Sequence, residues 1–121
     1  MNIDRSQFLK ELKGRYPEIK DELNSQEGLI TFEVSVFLQL VQRNIDDGNR
    51  DGFQQSIELV NRFYSEGNKA LRSSICNGVC EDLLFEDSKK NNRSWALALL
   101  PEPLAKERDS WRKFIGGSKN A

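Results

Sequence analysis

Histidine is absent from the 121-residue chain. Imidazole is the commonest general acid or base near neutral pH and the commonest nitrogen ligand for metals in proteins. The two cysteines, Cys76 and Cys80, cannot complete a tetrahedral zinc site by themselves. Phosphate-binding loops, dinucleotide fingerprints and nucleophile-elbow motifs are missing as well. We therefore expect no enzymatic activity, no catalytic residues, no cofactor and no metal site of a common type.

Long apolar runs and a strong net charge are also lacking. No stretch approaches the roughly 20 apolar residues that span a bilayer, and residues 1–6 contain no apolar signal core. The formal net charge of −1 gives no overall attraction to nucleic acid or to an anionic membrane. We expect a cytoplasmic protein that binds neither.

Apolar residues recur at helical spacing along most of the chain. A capping box formed by Asp4 and Gln7 is predicted to begin the first helix, and Gly14 to end it. Residues 31–36 alternate like a strand, but residues 37–45 follow helical spacing, and no second convincing strand exists for pairing. We predict one long helix there, which ends at Gly48, with a strand at 31–36 as the alternative.

The fold class that follows is all-α. We predict a compact bundle or a short solenoid-like array of about five to six antiparallel helices joined by short turns. Residues 1–115 form a single helical domain in this prediction, and residues 116–121 form a flexible tail. In the fifth helix, Gly78 indicates close approach of a neighbouring helix. Cys76 and Cys80, four residues apart, are expected to pack as small apolar residues.

Two groups of carboxylates are the candidate partner-binding residues. Residues 73–88 contain no basic residue and carry a charge of −4. Neighbouring helical carboxylates point about 100° apart, which favours a solvated acidic face over a catalytic pair. Such a face can mask a basic partner and speed its association. The candidates are Glu81, Asp82, Glu86 and Asp87 on or beside the fifth helix, and Asp46, Asp47 and Asp51 in the turn after the long helix.

The turn after the long helix also resembles a calcium loop. Counted from Asp47, the EF-hand pattern is matched at its first, third, fifth, sixth and twelfth positions, although Gln54 stands where an apolar residue is usual. The matching residues are Asp47, Asn49, Asp51, Gly52 and Glu58. A calcium-binding helical protein is therefore one alternative, and a plain helix–helix turn is the simpler interpretation.

Basic residues are concentrated towards the end of the chain, with Trp95 and Trp111 among them. They are Lys89, Lys90, Arg93, Lys106, Arg108, Arg112 and Lys113. The acidic stretch just before them would repel a phosphate backbone, so nucleic-acid binding is not favoured. We expect the basic residues of the last helix to neutralise acidic neighbours within the molecule.

Three segments are similar to a known family. Residues 71–84 form an apolar helix that ends in Glu81-Asp82-Leu83, residues 8–12 are followed by Tyr16-Pro17-Glu18-Ile19, and residues 111–114 read Trp-Arg-Lys-Phe. In these segments the chain resembles the small all-helical bacterial immunity proteins of contact-dependent and polymorphic toxin systems. The likeness spans most of the chain and departs from the family at Gly78 and in the Asp-Gly-rich turn.

The resemblance implies a bacterial protein that binds and neutralises a cognate toxin. With a cytoplasmic location, the toxin would act in the cytoplasm, as a nuclease does, and the acidic residues would occlude its basic active-site surface. The alternative is a helical adaptor or regulatory module that binds proteins but has no toxin partner.

Overall fold

The computed structural model describes residues 2–25 and 28–120, and the side chains of residues 2–25 and 28–113. Within them the chain forms seven α-helices and no strand, which confirms the predicted all-α fold. A 3₁₀ turn at Pro17–Ile19 joins the first two helices. The helices are α1 (Arg5–Arg15), α2 (Lys20–Ser25), α3 (Ile30–Asp46), α4 (Arg50–Glu66), α5 (Lys69–Glu81), α6 (Ser94–Ala98) and α7 (Glu102–Asn120). None of these described helices is both long and apolar enough to cross a membrane.

Side-chain caps begin three of the helices. At α1, the backbone N–H of Gln7 donates to the Asp4 carboxylate over 2.8 Å. In return, the Gln7 side chain accepts from the backbone N–H of Asp4 over 3.0 Å. The predicted capping box is therefore confirmed. Asn49 caps α4, and Asn68 caps α5. These caps satisfy N–H groups that lack partners in the first helical turn.

Residues 31–36 are helical, as the first part of α3. This helix is buried along much of its length, at Val34, Phe37, Val41 and Ile45 among others. A β-branched sequence can be helical in such surroundings because packing outweighs intrinsic propensity. The helix ends at Asp46, and Gly48 adopts a positive φ of 68° in the turn to α4, a conformation that glycine allows without strain.

Phenylalanine side chains connect the first helix to the central ones. The Phe8 ring of α1 lies edge-on to Phe63 of α4, with 4.9 Å between ring centroids. Phe37 of α3 completes the cluster, 6.1 Å from Phe63 and 6.4 Å from Phe8. All three side chains are fully buried, so this cluster is a centre of the core.

Helices α3, α4 and α5 run up, down and up, so α3 and α5 are parallel neighbours. Thr31 lies beside Ser74, and ten or so residues later Gln42 bonds to Leu84, which fixes this direction. Between these points, a Cβ atom placed on Gly78 would lie 2.2 Å from Cδ1 of Leu38. The close helix approach predicted at Gly78 is thus confirmed.

The two chain ends each show a feature that the sequence did not predict. The amino-terminal end forms a bridge, and the carboxyl-terminal helix is longer than predicted. Ile3 forms an isolated parallel bridge with Gly67, with its N–H bonded to the Glu66 carbonyl over 2.7 Å. At the other end, α7 runs from Glu102 to Asn120, beyond the predicted end at Ile115. The backbone of 116–120 is therefore helical, Ala121 lies outside the described residues, and the flexibility of this tail stays a prediction.

Candidate functional site

The fold brings both groups of predicted acidic residues to one end of the molecule. Because α3 and α5 are parallel, their carboxyl ends are adjacent, and α4 begins at the same end. Gln42 connects the end of α3 to the segment that follows α5. Its side-chain oxygen accepts a hydrogen bond from the Leu84 N–H over 2.8 Å. Its side-chain nitrogen donates to the Leu84 carbonyl over 3.1 Å and to Asp46 over 3.0 Å. We call this region the acidic end. It contains Asp46, Asp47, Asp51, Glu81, Asp82, Glu86 and Asp87.

Arg93 joins three parts of the acidic end. Its Nε donates to Oδ1 of Asp46 over 2.7 Å, and its backbone N–H donates to Oδ1 of Asp87 over 2.8 Å. Asp87 also accepts from the N–H of Ser94 over 2.9 Å and from its hydroxyl over 3.1 Å. The Asp87 carboxylate therefore caps the start of α6, and Arg93 ties that start to the end of α3.

Glu86 is bound from α7. Nη2 of Arg108 lies 3.4 Å from Oε1 of Glu86, and Nη1 of Arg112 lies 3.5 Å from the same oxygen. On α7 itself, Lys106 pairs with Glu102 at 3.1 Å. The prediction that basic residues of the last helix neutralise acidic neighbours is confirmed by these pairs.

We call Asp46, Glu86 and Asp87 the inward carboxylates, because each bonds to another part of the chain. Their pKa values are all lowered. Burial alone would raise the pKa of Asp46, but hydrogen bonds from Arg93 and Gln42 outweigh it and lower the pKa. For Glu86, burial is likewise outweighed, by backbone N–H donors and by the charge of Arg108, so its pKa is lowered. Hydrogen bonds from the N–H groups of Ser94 and Arg93 lower the pKa of Asp87. Each carboxylate is therefore held in its charged form by the fold.

Glu86 and Asp87 lie beside the fifth helix and not on it, which is one of the two predicted positions, and both residues are exposed. Helix α5 ends at Glu81, and both residues lie in the following loop, where their carboxylates bond to other parts of the chain. Asp46 is likewise used internally. The partner of Glu86 stands 22 residues later and that of Asp46 stands 47 residues later, so local sequence did not reveal these contacts.

The other four predicted residues face solvent. Asp47, Asp51, Glu81 and Asp82 are exposed, and among the described residues no cationic nitrogen lies within 4 Å of their carboxylates. We call them the outward acidic set. Leu84, which follows closely on α5, is 47% exposed beside them. An exposed leucine can supply an apolar contact inside a polar rim, as in many protein-binding surfaces.

A family model described as a domain of unknown function, DUF7674, matches residues 9–116. The chain belongs to this family. The match includes all seven candidate carboxylates of the acidic end. Comparisons with curated proteins and with solved structures gave no match.

The Asp47–Glu58 segment of this DUF7674 protein does not form the calcium loop that the sequence pattern offered as an alternative. Helix α3 ends at Asp46 and α4 begins at Arg50, so only a short turn separates them. Asp51 and Glu58 both lie within α4, seven residues apart and thus about 10 Å apart along its axis. No group of three or more metal-ligating side chains occurs in the described part of the chain. Residues 47–49 form a helix–helix turn, and Asn49 caps the start of α4.

The two cysteines adjoin a polar cluster between α4, α5 and α7. Glu107 accepts hydrogen bonds from the Tyr64 hydroxyl over 2.8 Å and from the Cys76 thiol over 3.5 Å. Burial, with added effects from Cys80 and Glu107, raises the pKa of Cys76 to about 12. Cys80 is buried, as predicted, and Cys76 is half-buried at the edge of an open depression of about 590 Å³. A thiol that keeps its proton is a poor nucleophile, so this cluster is structural.

Glu33 is a charged residue whose buried position the sequence analysis missed. Its side chain is completely buried in α3, and it accepts two hydrogen bonds from Arg5, at 2.7 Å to Nε and 2.6 Å to Nη2. The pair joins α1 to α3 and so helps to hold these helices together.

Proposed function

We propose that this protein is a protein-binding module that docks on a basic partner through the acidic end, and that the partner is a toxin domain whose active-site surface it occludes. The observation that carries the proposal is the outward acidic set. Four carboxylates without an internal cation, among the described residues, are gathered at one end by the parallel packing of α3 and α5.

The negative potential of this end comes from its carboxylates. The carboxyl ends of α3 and α5 each carry about half a negative charge there, but the amino end of α4 lies at the same end and carries about half a positive charge. A negative surface speeds the encounter with a basic partner and orients it. Leu84 offers an apolar contact that a purely electrostatic surface would lack.

The choice of a toxin as the partner is supported by the resemblance to bacterial immunity proteins. A nuclease has a basic substrate surface because it binds phosphates, and a rigid acidic helical end is complementary to it in charge. The inward carboxylates keep that end rigid, because they fasten the 82–93 loop to α3, α6 and α7. A rigid surface loses less conformational entropy on binding.

A direct test uses a toxin domain encoded next to the gene, with and without charge reversal. We expect Asp47→Lys with Asp82→Lys to slow association with the toxin by about tenfold or more, and most strongly at low salt. The matched control is Asp21→Lys with Glu22→Lys, which reverses two exposed carboxylates on α2. Association rates are measured by biolayer interferometry, and nuclease inhibition is measured in parallel.

Equal loss of affinity in both double variants would show that overall charge, and not the acidic end, drives binding. Binding without inhibition of the nuclease would exclude the immunity role and favour the adaptor alternative. Binding that is unaffected by either double variant would remove the acidic end as the interface.

A further inference from the structure

A second surface, of opposite sign, lies along α6 and α7. It is a groove of about 390 Å³ with Leu97 and Ala105 among its apolar residues and Arg108 and Arg112 among its basic ones. Leu97 is 41% exposed. The apolar side of the groove is therefore open to a partner at this leucine.

The basic side of the groove carries more positive than negative charge. Arg108 and Arg112 share one carboxylate, that of Glu86, at 3.4 and 3.5 Å. The two acidic residues of the groove do not neutralise these arginines, because Glu102 pairs with Lys106 and Asp109 pairs with Lys113. Two guanidinium groups thus have a single anion between them within the described residues.

The shortage of negative charge matters most at Arg108, because this arginine is buried. It is only 6% exposed, and its guanidinium lies 4.8 Å from the centre of the Phe85 ring. Its Nε is buried and has no hydrogen-bond partner among the described residues. Buried guanidinium groups are normally fully paired, because desolvating an unpaired charge is unfavourable. A second anion close to the two arginines would correct the imbalance.

We propose that the α6–α7 groove docks an acidic segment of a partner protein. A carboxylate of that segment binds beside Arg112, at the exposed edge of the arginine pair, and an aliphatic side chain next to it packs on Leu97 and Ala105. An acidic peptide fits better than a small inorganic anion, which would leave Leu97 exposed. This site adjoins the acidic end through Glu86 but binds a surface of the opposite charge, so the inference goes beyond the proposed function.

The test uses the whole chain and an end-capped, fluorescein-labelled peptide made of glutamate and leucine residues. A matched peptide has glutamine in place of every glutamate. Fluorescence anisotropy should show binding of the glutamate peptide at least tenfold tighter than that of the glutamine peptide at low salt. In nuclear magnetic resonance spectra, amide shifts caused by the peptide should be concentrated in residues 95–99 and 104–112.

Substitutions then locate the site. Arg112→Gln should weaken binding of the glutamate peptide about tenfold, and Leu97→Ser should weaken both peptides. Arg43→Gln is the control, because Arg43 is an exposed arginine outside the groove, on α3. Circular dichroism melting of each variant checks that its fold is kept.

Several outcomes would overturn the proposal. One is equal affinity for the glutamate and glutamine peptides, or no binding of either at millimolar concentration. Another is an Arg112→Gln variant that binds as tightly as the Arg43→Gln control. A third is sedimentation showing that the protein self-associates through the groove and that Arg112→Gln abolishes this, since the occupant would then be a second copy of the chain.

Discussion

Glu33 shows how strongly a single side chain can depend on one contact. It lies on α3 with its carboxylate fully buried, whereas the side chain of Arg5 remains 39% exposed. The two make a bidentate pair at 2.6 and 2.7 Å, the geometry that guanidinium and carboxylate groups favour. Removing one partner of such a pair leaves a buried charge without compensation.

We predict that Arg5→Ala lowers the free energy of unfolding by about 2–4 kcal/mol, somewhat less than for a fully buried pair because Arg5 is partly solvated. Adding Glu33→Leu should restore most of this loss, since the buried charge is then gone. Urea unfolding at neutral pH measures both variants, with Lys10→Ala as an exposed control on α1. Equal stability of the single and double variants would contradict the explanation.

The Cys76 thiol gives a second prediction at the residue scale. Because burial and its neighbours raise its pKa to about 12, almost no thiolate is present at pH 8. We expect iodoacetamide to modify Cys76 in the folded protein at least tenfold more slowly than in urea. Peptide mass spectrometry follows the modification at each cysteine. A rate equal to that of the unfolded chain would contradict the prediction, because it would mean that neither burial nor the contact with Glu107 suppresses the thiolate.

At the scale of elements, the packing of α3 against α5 depends on the absence of a side chain at Gly78. A methyl group there would overlap Cδ1 of Leu38, a buried side chain, so Leu38 or one of the two helices would have to shift. This contact sets how closely the two helices approach, and so how closely their carboxyl ends lie at the acidic end.

We predict that Gly78→Ala destabilises the protein by about 1–2 kcal/mol, because overpacking outweighs the gain in helix propensity. Gly14→Ala is the matched control. Gly14 also lies within a helix, but its Cβ position is open, so the substitution should stabilise by about 0.5–1 kcal/mol. Thermal unfolding measures both variants. A stabilised Gly78→Ala variant would mean that α3 and α5 can separate without loss.

At the scale of the whole molecule, the 82–93 loop is held in place by charged contacts as well as by the buried side chains of Leu83 and Phe85. Arg93 bonds to Asp46 of α3, Asp87 caps α6, and Glu86 reaches α7. These contacts connect segments far apart in the chain, so their loss should release the loop and change the surface of the acidic end.

Acid should weaken this part of the fold. The pKa values of Asp46, Glu86 and Asp87 are lowered from ordinary values of 3.8, 4.5 and 3.8. The unfolded chain therefore takes up protons first as the pH falls, and the stabilisation present above these ordinary values is lost below them. We predict that the urea midpoint falls as the pH is lowered from 5 to 2.5.

Arg93→Gln should lower stability at pH 7 by about 1 kcal/mol and flatten this acid dependence, since Asp46 then loses its charged partner. The same urea titrations measure it. Lys90→Gln, an exposed substitution in the same loop, is the control and should leave the pH profile as it is in the unsubstituted protein. An Arg93→Gln profile as steep as that control would show that other groups cause the acid loss.

Local sequence determined most of the helical structure of this DUF7674 protein. The Asp4 capping box, the Asn68 cap and the apolar spacing of α3 each act within a few residues, so they can be recognised without knowing the fold. The end of α5 was misplaced, because a loop residue such as Leu83 continues the helical apolar pattern and is buried.

Only the tertiary structure decided which carboxylates are bonded within the molecule. Asp46 and Asp47 are adjacent in sequence, yet one is bound by Arg93 and the other is exposed. Likewise, Glu33 appeared as one charged residue among many until the fold placed it against Arg5. Helix formation depends on neighbours a turn away, whereas the pairing and burial of a charge depend on residues that the chain brings together from a distance.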